Sequence, residues 1–381
     1  MRILLVSSYD LSLPGGVTSH VRDLAEQFLE QGHDVEVAGP GGSGPLEKPD
    51  YTHYLCSTSR LLSPGDAAFV NLSPAVIPGV RRFLKSRPRF DVIHIHEPFV
   101  PFLGPSFLSF ASSIKVATFH SWRRGPHLPY IAFWPILQMI NLPLSGRIAV
   151  SQFARSTIKR YVPGDYRIIP NGVSFKRFER VLPVPEHLRD DKPTILCVGR
   201  LEARKGIEHL LRGFQRLKAS VGNARLVLIG EGGLRHQYEA LAARLGLQDV
   251  VFQGYVSDAD LPAYYQRADV VCAPSTTNES FGITLVEAMA SATPVVATRM
   301  GGYAQVATHG VNGMLIRPGD AIELAETLQT VLEDASLRDR LVEGGLVRAR
   351  DFDWPTVADQ IITYYAELAS SEDAVLSASD I

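Results

Sequence analysis

The chain has 381 residues, of which 45% are apolar and 20% charged, and its formal net charge is −2. This length favours two domains over a single core, and the apolar content gives each domain enough side chains to bury. A nearly balanced charge without a recognition motif argues against a nucleic-acid partner.

Charge is distributed unevenly along the chain. Residues 1–172 hold 17 Lys and Arg against 12 Asp and Glu, whereas residues 173–381 hold 21 against 28. Part of the positive excess lies in RRFLKSRPRF, residues 81–90, where five basic residues alternate with apolar and aromatic ones. A solvated helix face and an anionic membrane surface are both open interpretations of this run.

The first half of the chain alternates strand-like runs with helical patterns. In order these are RILLVSSY, GVTSHVRDLAEQFLEQG, HDVEVAG, FDVIHIH, IKVATFH and GRIAVS. Such alternation predicts βαβ units and a parallel sheet. The chain opens on the first strand without the charged flank and cleavage site of a signal peptide, so we expect a cytosolic protein.

A glycine pair follows the first strand. Gly15 and Gly16 open a predicted helix, where a backbone without side chains lets a ligand approach and a helix N-terminus favours an anion. The spacing is not GxGxxG. A tight strand-to-helix turn explains the pair equally well.

Histidines end two of the predicted strands. His94 and His96 share a strand face beside Glu97, but three potential ligands do not by themselves make a metal site, and we predict no metal. His120 ends VATFH, where an ordinary strand-end histidine is the simplest interpretation of the residue alone.

Two long apolar stretches follow, EPFVPFLGPSFLSF at residues 97–110 and LPYIAFWPILQMINLPL at 128–144. Proline interrupts both too often for a membrane span. With the basic run and the pair Arg123 and Arg124, they suggest a surface that settles into an anionic bilayer. Buried helices of the first domain are the alternative.

The strand and helix pattern restarts after YRIIPNGV, with PTILCVGR, ARLVLIG, DVVFQGY, ADVVCAP, TPVVAT and GMLIRPG. We therefore predict a first domain at residues 1–172 and a second at 173–354, with a last helical segment at 355–381. The tail SSEDAVLSASDI is expected to be disordered.

Basic and glycine-rich loops follow two strands of the second half. In GRLEARKG, Arg200 and Lys205 precede a predicted helix, and cations beside a helix N-terminus suit a diphosphate. Two solvated surface cations are the alternative. The next such loop, GEGGLRH, begins at Gly230 and is suited to part of a nucleotide.

Two glutamates mark the stretch NESFGITLVEAMA. Glu279 lies in a loop at the start of a predicted helix, and Glu287 lies about one turn inside it, leaning back toward the same place. Carboxylates repel phosphate, so hydroxyl groups of a sugar and a ribose are the expected partners. A capping acid and a surface residue are the alternative.

Together these motifs resemble the retaining glycosyltransferases of the GT-B fold, of the glycosyltransferase family 4 type. PGGVTSHV, HIHEPFVP, VATFH, GRIAVS, IIPNGV and SFGITLVEAMA are most similar to phosphatidylinositol mannosyltransferases, which move mannose from GDP-mannose to the inositol of a membrane lipid. The resemblance implies an α/β protein with two Rossmann-like domains facing across a cleft. The last helix is expected to cross back to the first domain.

The resemblance also implies roles for individual residues. The catalytic set would be Arg200, Lys205, Glu279 and His120; the donor-binding set Gly15, Gly16, Gly230, Phe281, Gly282 and Glu287; and the acceptor side Tyr9, Arg123 and Arg124. The partners are then a sugar nucleotide, an anionic lipid and the inner face of the plasma membrane. No cofactor and no metal are expected, because Arg, Lys and helix dipoles neutralise the diphosphate.

The chain departs from the mannosyltransferase pattern after His120, where it has SWRRGPHLPY instead of small polar residues and a lysine. Arg123 or Arg124 would replace that lysine toward a lipid phosphate. A UDP-sugar donor with a different lipid or a soluble acceptor is the first alternative. A sugar-nucleotide epimerase, a phosphorylase and an inactive sugar-binding relative are the others.

Overall fold

The computed structural model describes residues 1–42, 44–63, 66–122 and 125–379. The chain divides into two compact units, Met1–Gly172 with Trp354–Ile381, and Val173–Asp353. We call them the first and second units.

The strands of the first unit come before those of the second along the chain. They are β1 (Arg2–Ser7), β2 (Asp34–Pro40), β3 (Thr52–Cys56), β4 (Ser59–Ser63), β5 (Asp66–Val70), β6 (Val92–His96), β7 (Ile114–Phe119), β8 (Gly146–Ala149) and β9 (Arg167–Ile168). The second unit has β10 (Thr194–Val198), β11 (Arg225–Ile229), β12 (Val250–Gly254), β13 (Val270–Ala273), β14 (Val295–Thr298) and β15 (Met314–Ile316).

The helices follow the strands mostly in the predicted alternation. They are α1 (Gly16–Glu30), α2 (Val76–Lys85), α3 (Leu103–Phe110), α4 (Leu128–Ala132), α5 (Trp134–Asn141), α6 (Gln152–Ile158), α7 (Phe175–Glu179), α8 (Ile207–Leu217), α9 (Arg235–Arg244), α10 (Leu261–Arg267), α11 (Ile283–Ala290), α12 (Gly301–Val306), α13 (Ala321–Glu333), α14 (Ala335–Arg350) and α15 (Trp354–Ser379). The exceptions are the consecutive strands β2, β3, β4 and β5, the consecutive helices α4 and α5, and the consecutive helices α13, α14 and α15.

The sheet of the first unit is parallel and runs β3-β2-β1-β6-β7-β8-β9, while β4 and β5 pair as an antiparallel hairpin. Alternate residues of β1 enter opposite cores. Ile3 and Leu5 pack with α1 and α15, whereas Leu4 and Val6 pack with residues of α2 and α3. Burial on both faces explains why β1 is an almost unbroken apolar run.

The sheet of the second unit is also parallel and runs β12-β11-β10-β13-β14-β15. The chain passes from β10 to β11 on one side, and β13 lies on the other side of β10. Ligands of open parallel sheets bind beside the carboxyl ends of strands at such a reversal. The loops after β10 and β13 are the two that carry the predicted basic and acidic residues.

The predicted disorder of the C-terminal tail is wrong for residues 370–379, which continue α15 to Ser379. The start of this helix is fixed by buried Trp354, Val357 and Ile361. Once a helix is nucleated, each added residue costs little, and this segment lacks Gly and Pro.

Candidate functional site

The loop after β10 is held against the loop after β13 by Gly206. Gly206 has a left-handed φ of 69°, and a Cβ added there would lie 2.0 Å from the carbonyl oxygen of Pro274. Only glycine permits this backbone contact. It brings the Arg200–Lys205 segment beside the ESFG segment, 74 residues away along the chain from Lys205 to Glu279.

Glu279 is the centre of a polar cluster in the second unit. One of its carboxylate oxygens accepts a hydrogen bond from Nζ of Lys205 at 2.8 Å, and the same oxygen lies 3.3 Å from the hydroxyl of Tyr303. Oγ of Ser275 donates to it at 3.2 Å, and a guanidinium nitrogen of Arg204 lies 3.7 Å away. Lys205 and Glu279, which the sequence predicted separately as site residues, are therefore in direct contact.

The charge state of Glu279 follows from these neighbours. Burial alone would raise the pKa of its carboxyl, but Lys205 and Arg204 outweigh that effect and hold the pKa below its ordinary value. Glu279 is therefore ionised at neutral pH and accepts hydrogen bonds without donating any.

Arg200 lies in the same loop with a half-exposed side chain. Its guanidinium forms an ion pair of 3.0 Å with Glu202, which also pairs with Arg204 at 3.1 Å. Basic side chains thus surround the N-terminal end of α8, which begins at Ile207. This combination favours an anionic ligand.

Helix α11 places the second predicted glutamate. Gly282 precedes the helix with a left-handed φ of 110°, and Glu287 is the fifth helical residue. A carboxylate oxygen of Glu287 accepts a hydrogen bond of 2.7 Å from the hydroxyl of Tyr265. The sequence placed Glu287 in this helix correctly, although it did not indicate its bond to Tyr265.

Phe281 and Gly230 do not present side chains to a ligand. The side chain of Phe281 is buried, with its ring against that of Phe352 at 5.3 Å. A ligand would therefore meet its backbone. A Cβ at Gly230 would lie 2.2 Å from the carbonyl oxygen of Gly199, so the two glycines pack the loops after β11 and β10 together.

In the first unit, the glycine pair opens α1. Gly15 is extended, Gly16 is the first helical residue, and both are exposed. No side chain within the described residues forms a capping hydrogen bond at this N-terminus, and the first turn holds no acidic residue. The amide groups of this helix end are thus suited to an anion.

His120 belongs to a buried group of histidines. Its Nε2 lies 3.0 Å from Nδ1 of His96, and the ring of His20 meets both of them edge-on at centroid distances of 4.9 and 5.2 Å. Burial lowers the pKa of His120 to about 4, although the nearby Asn171 acts in the opposite direction. His120 is therefore a neutral imidazole at neutral pH.

The other residues singled out around His96 have hydrogen-bonding partners of their own. Both ring nitrogens of His94 are bonded, to the hydroxyls of Tyr365 and Thr118 at 2.6 Å each. A carboxylate oxygen of Glu97 accepts from the backbone amides of His120 and Ser121 at 2.8 and 2.9 Å.

The acceptor-side residues are only partly described. Tyr9 follows β1 and forms an antiparallel bridge with Val70. Arg123 and Arg124 lie outside the described residues.

Sequence reasoning missed several members of both groups. In the second unit these are Arg204, Ser275 and Tyr303; in the first unit, His20 and Asn171. Arg204 adjoins Lys205, and His20 follows the glycine pair, so their positions next to predicted residues were the available indication. Tyr303 lies 24 residues beyond Glu279 and carries no such indication.

Comparison with known proteins gives full-length matches. Residues 14–177 match the family Glycosyltransferase Family 4, and residues 181–347 match Glycosyl transferases group 1. The phosphatidyl-myo-inositol mannosyltransferase of Mycobacterium leprae is 36% identical over 380 residues, covering 100% of both chains. Its counterpart from Mycolicibacterium smegmatis is 36% identical and covers 97% of this chain and 95% of its own.

The chain is a glycosyltransferase of the family 4 type. It is accordingly an enzyme of the hexosyltransferase class. These matches confirm the resemblance inferred from the sequence motifs.

Solved structures agree with the fold. Sucrose-phosphate synthase from Thermosynechococcus elongatus has a TM-score of 0.78 at 24% identity, over 97% of this chain and 100% of that chain. HepE from Anabaena, in complex with UDP, has a TM-score of 0.76 at 21% identity, over 96% and 100%. At this identity the likeness concerns the fold alone, and it confirms the predicted GT-B class.

Proposed function

We propose that this glycosyltransferase transfers mannose from GDP-mannose to phosphatidylinositol with retention of the anomeric configuration. The full-length similarity to proteins named phosphatidyl-myo-inositol mannosyltransferases carries the proposal. The contact of Lys205 with Glu279 supports it, because it joins a cation suited to a diphosphate with a carboxylate suited to sugar hydroxyls.

Arg200 and Lys205 bind the donor diphosphate in this proposal. Both lie in the loop before α8, and the N-terminal end of that helix adds a partial positive charge. Negative charge on the diphosphate grows as the bond to the sugar breaks. Groups already oriented toward that charge stabilise the transition state more than the ground state.

Glu279 orients the transferred sugar in this scheme. Because its pKa is held low, the carboxylate stays ionised and accepts hydrogen bonds from sugar hydroxyls. When the donor binds, the ammonium group of Lys205 contacts both the carboxylate of Glu279 and the diphosphate. Glu287, the fifth residue of α11, is assigned to the ribose.

The bond changes follow a front-face path. The bond between the anomeric carbon and the donor phosphate oxygen breaks with its electron pair leaving on the phosphate. An acceptor hydroxyl oxygen forms the new bond on the same face, and its proton passes to the departing phosphate. Glu279, ionised and bonded to Lys205, serves orientation and charge stabilisation along this path.

We assign the acceptor and the membrane to the first unit. Helix α2 buries Val76, Val80 and Phe83 and exposes Arg81, Arg82 and Lys85. Such a helix presents positive charge to an anionic surface. Within the described residues, no helix is long and apolar enough to cross a membrane.

The two apolar stretches of the first unit differ in exposure. Helix α3 buries Leu103, Phe107 and Leu108, as the buried-helix alternative predicted. In the second stretch, by contrast, large apolar side chains are exposed: Leu128 70%, Ile131 52%, Phe133 58%, Trp134 50%, Met139 65% and Leu142 81%. Exposed apolar side chains concentrated in one segment favour contact with a membrane.

Binding to lipid vesicles tests this assignment. We expect binding to vesicles containing anionic lipid that weakens as salt is raised, since exposed charges are screened. The double variant Met139→Ser and Leu142→Ser should bind about ten-fold or more weakly, because two exposed apolar anchors are lost. Val347→Ser, at an exposed valine of the second unit, should bind like the parent protein. Equal binding to neutral and anionic vesicles would contradict the proposed electrostatic attraction to the membrane.

Transfer of labelled mannose from GDP-mannose to phosphatidylinositol in vesicles tests the function. Labelled lipid should form with EDTA present, fall to background in Glu279→Gln, and persist in Glu208→Gln, whose exposed carboxylate pairs with Arg212 on the surface of α8. Hydrolysis of GDP-mannose without labelled lipid would support GDP-mannose as the donor and contradict phosphatidylinositol as the acceptor. Inactivity with GDP-mannose but transfer from a uridine donor would contradict GDP-mannose as the donor. Complete loss of transfer in EDTA would contradict metal independence.

A further inference from the structure

We propose that His20, His96 and His120 form a binding site for a divalent transition-metal ion of the Zn²⁺ type. We call these residues the tri-histidine cluster. The proposed transfer chemistry uses no such ion, so the site goes beyond the proposed function. Three observations carry it: the geometry of the nitrogens, a buried nitrogen of His20 without a partner, and the hydrogen bonds that engage the neighbouring His94 elsewhere.

The geometry is close to that of a three-histidine site. One ring nitrogen from each residue lies within 4.8 Å of the other two. Nδ1 of His96 and Nε2 of His120 are 3.0 Å apart. Two nitrogens bound to one tetrahedral zinc ion are roughly 3.3 Å apart, given zinc–nitrogen distances of about 2.0–2.1 Å. Metal binding requires the His20 ring to turn until its nitrogen reaches a similar distance from the other two.

A buried nitrogen without a partner points to a ligand in the cluster. Nδ1 of His20 has no hydrogen-bond partner among the described residues, and His20 is 4% exposed. Unsatisfied buried polar atoms are rare, and one beside two other imidazole rings indicates a bound water or ion.

The fold holds the three rings from different elements. His20 comes from α1, His96 ends β6, and His120 follows β7. The ring of Trp354 lies 5.0 Å from that of His20 and limits its movement. His94 stacks on His96 but is held by Tyr365 and Thr118, so it does not supply a fourth ligand. Three protein ligands leave a position open for a water molecule or an anion.

The donor atoms select the class of ion. Imidazole nitrogens suit Zn²⁺, Ni²⁺ and Cu²⁺, whereas Mg²⁺ prefers oxygen ligands. An asparagine oxygen near two of the rings is the kind of group that orients a ligating histidine from outside the metal's own shell.

Occupation of the cluster would engage His120, which the sequence motifs place in the catalytic set of the proposed transfer function. Resting on that function, we expect Zn²⁺ to inhibit mannosyl transfer and EDTA to reverse the inhibition. Metal binding without inhibition would contradict the role of His120 in transfer and leave the metal site standing.

Cobalt titration of the full chain, freed of any affinity tag, tests the site directly. Co²⁺ gives visible absorption when bound by nitrogen ligands, and Zn²⁺ should displace it. We expect saturation at one equivalent and an affinity about ten-fold or more lower in His20→Phe. Phenylalanine keeps the ring packing of His20 and lacks a ligating atom. His236→Gln, at a histidine whose side chain is 96% exposed, should bind like the parent.

Thermal unfolding of the metal-free proteins establishes that His20→Phe is folded. If it is not, His120→Phe provides the same titration from another ligand of the cluster. No saturable Co²⁺ binding by the parent protein, or unchanged affinity in the folded variant, would overturn the proposal.

Discussion

Arg200→Ala and Lys205→Ala are each expected to lower kcat by about 10²-fold or more in the mannosyl transfer assay. Both side chains lie in the loop before α8, and both oppose charge that develops on the departing diphosphate. The effect on KM for GDP-mannose should be smaller, since the charge is larger in the transition state than in the bound donor. Steady-state kinetics with saturating acceptor vesicles measures both constants.

Arg212→Ala is the matched control for lost positive charge. Its side chain is half-exposed on α8 and pairs with Glu208, one helical turn away, at 2.9 Å. We expect it to retain turnover. Near-normal turnover in Arg200→Ala would contradict the proposed role of the loop.

Loss of Lys205 also affects stability, because the partly buried carboxylate of Glu279 loses its nearest cation. The double variant Lys205→Ala with Glu279→Gln removes the carboxylate charge that Lys205 offsets. We expect it to recover stability relative to Lys205→Ala, and urea unfolding measures the difference. A double variant no more stable than Lys205→Ala would show that Lys205 does not stabilise the fold by pairing with Glu279.

Gly206→Ala should destabilise the second unit by at least about 2 kcal/mol more than Gly246→Ala. The two glycines have nearly the same left-handed backbone, with φ of 69° and 70°. A Cβ at Gly206 would lie 2.0 Å from the carbonyl oxygen of Pro274, whereas a Cβ at Gly246 would have nothing within 4 Å. The pair therefore separates the steric cost from the conformational cost.

Urea unfolding followed by far-UV circular dichroism measures this difference. The chain's tryptophans, Trp122, Trp134 and Trp354, lie outside the second unit, so tryptophan fluorescence would report the wrong unit. Gly246→Ala should cost about 1 kcal/mol from the left-handed conformation alone. Equal losses of unfolding free energy in the two variants would show that the loop after β13 moves away from residue 206 without loss of stability.

The sequence predicted the parallel sheets because their strands can be recognised from local composition. Strands such as RILLVS and TILCV are short apolar runs followed by helical patterns, and the buried faces of both sheets require that composition. Strand ends could be predicted in the same way, so His120 and the loop before α8 were correctly placed at carboxyl ends. Glycine at 206 and 282 marked two helix starts, because each has a left-handed backbone there.

The sequence did not predict which apolar side chains are exposed to solvent. EPFVPFLGPSFLSF and LPYIAFWPILQMINLPL have similar composition, yet α3 in the first is buried and most large apolar residues of the second are exposed. Composition gives each residue's preference for leaving water, and whether it does so depends on which elements pack over it. In the basic run, likewise, Arg87 pairs with Glu36 at 2.6 Å while Arg81 and Arg82 remain exposed.

By itself the sequence determined the two parallel sheets, through local patterns of apolar spacing, and the class of enzyme, through the resemblance of its motifs to a known family. The tertiary structure decided which side chains meet. Lys205 and Glu279 share a hydrogen bond of 2.8 Å across 74 residues, and Tyr303 joins them from a third segment. His20, His96 and His120 meet because α1, β6 and β7 pack together. Contacts between distant segments arise from packing, and a one-dimensional pattern does not contain them.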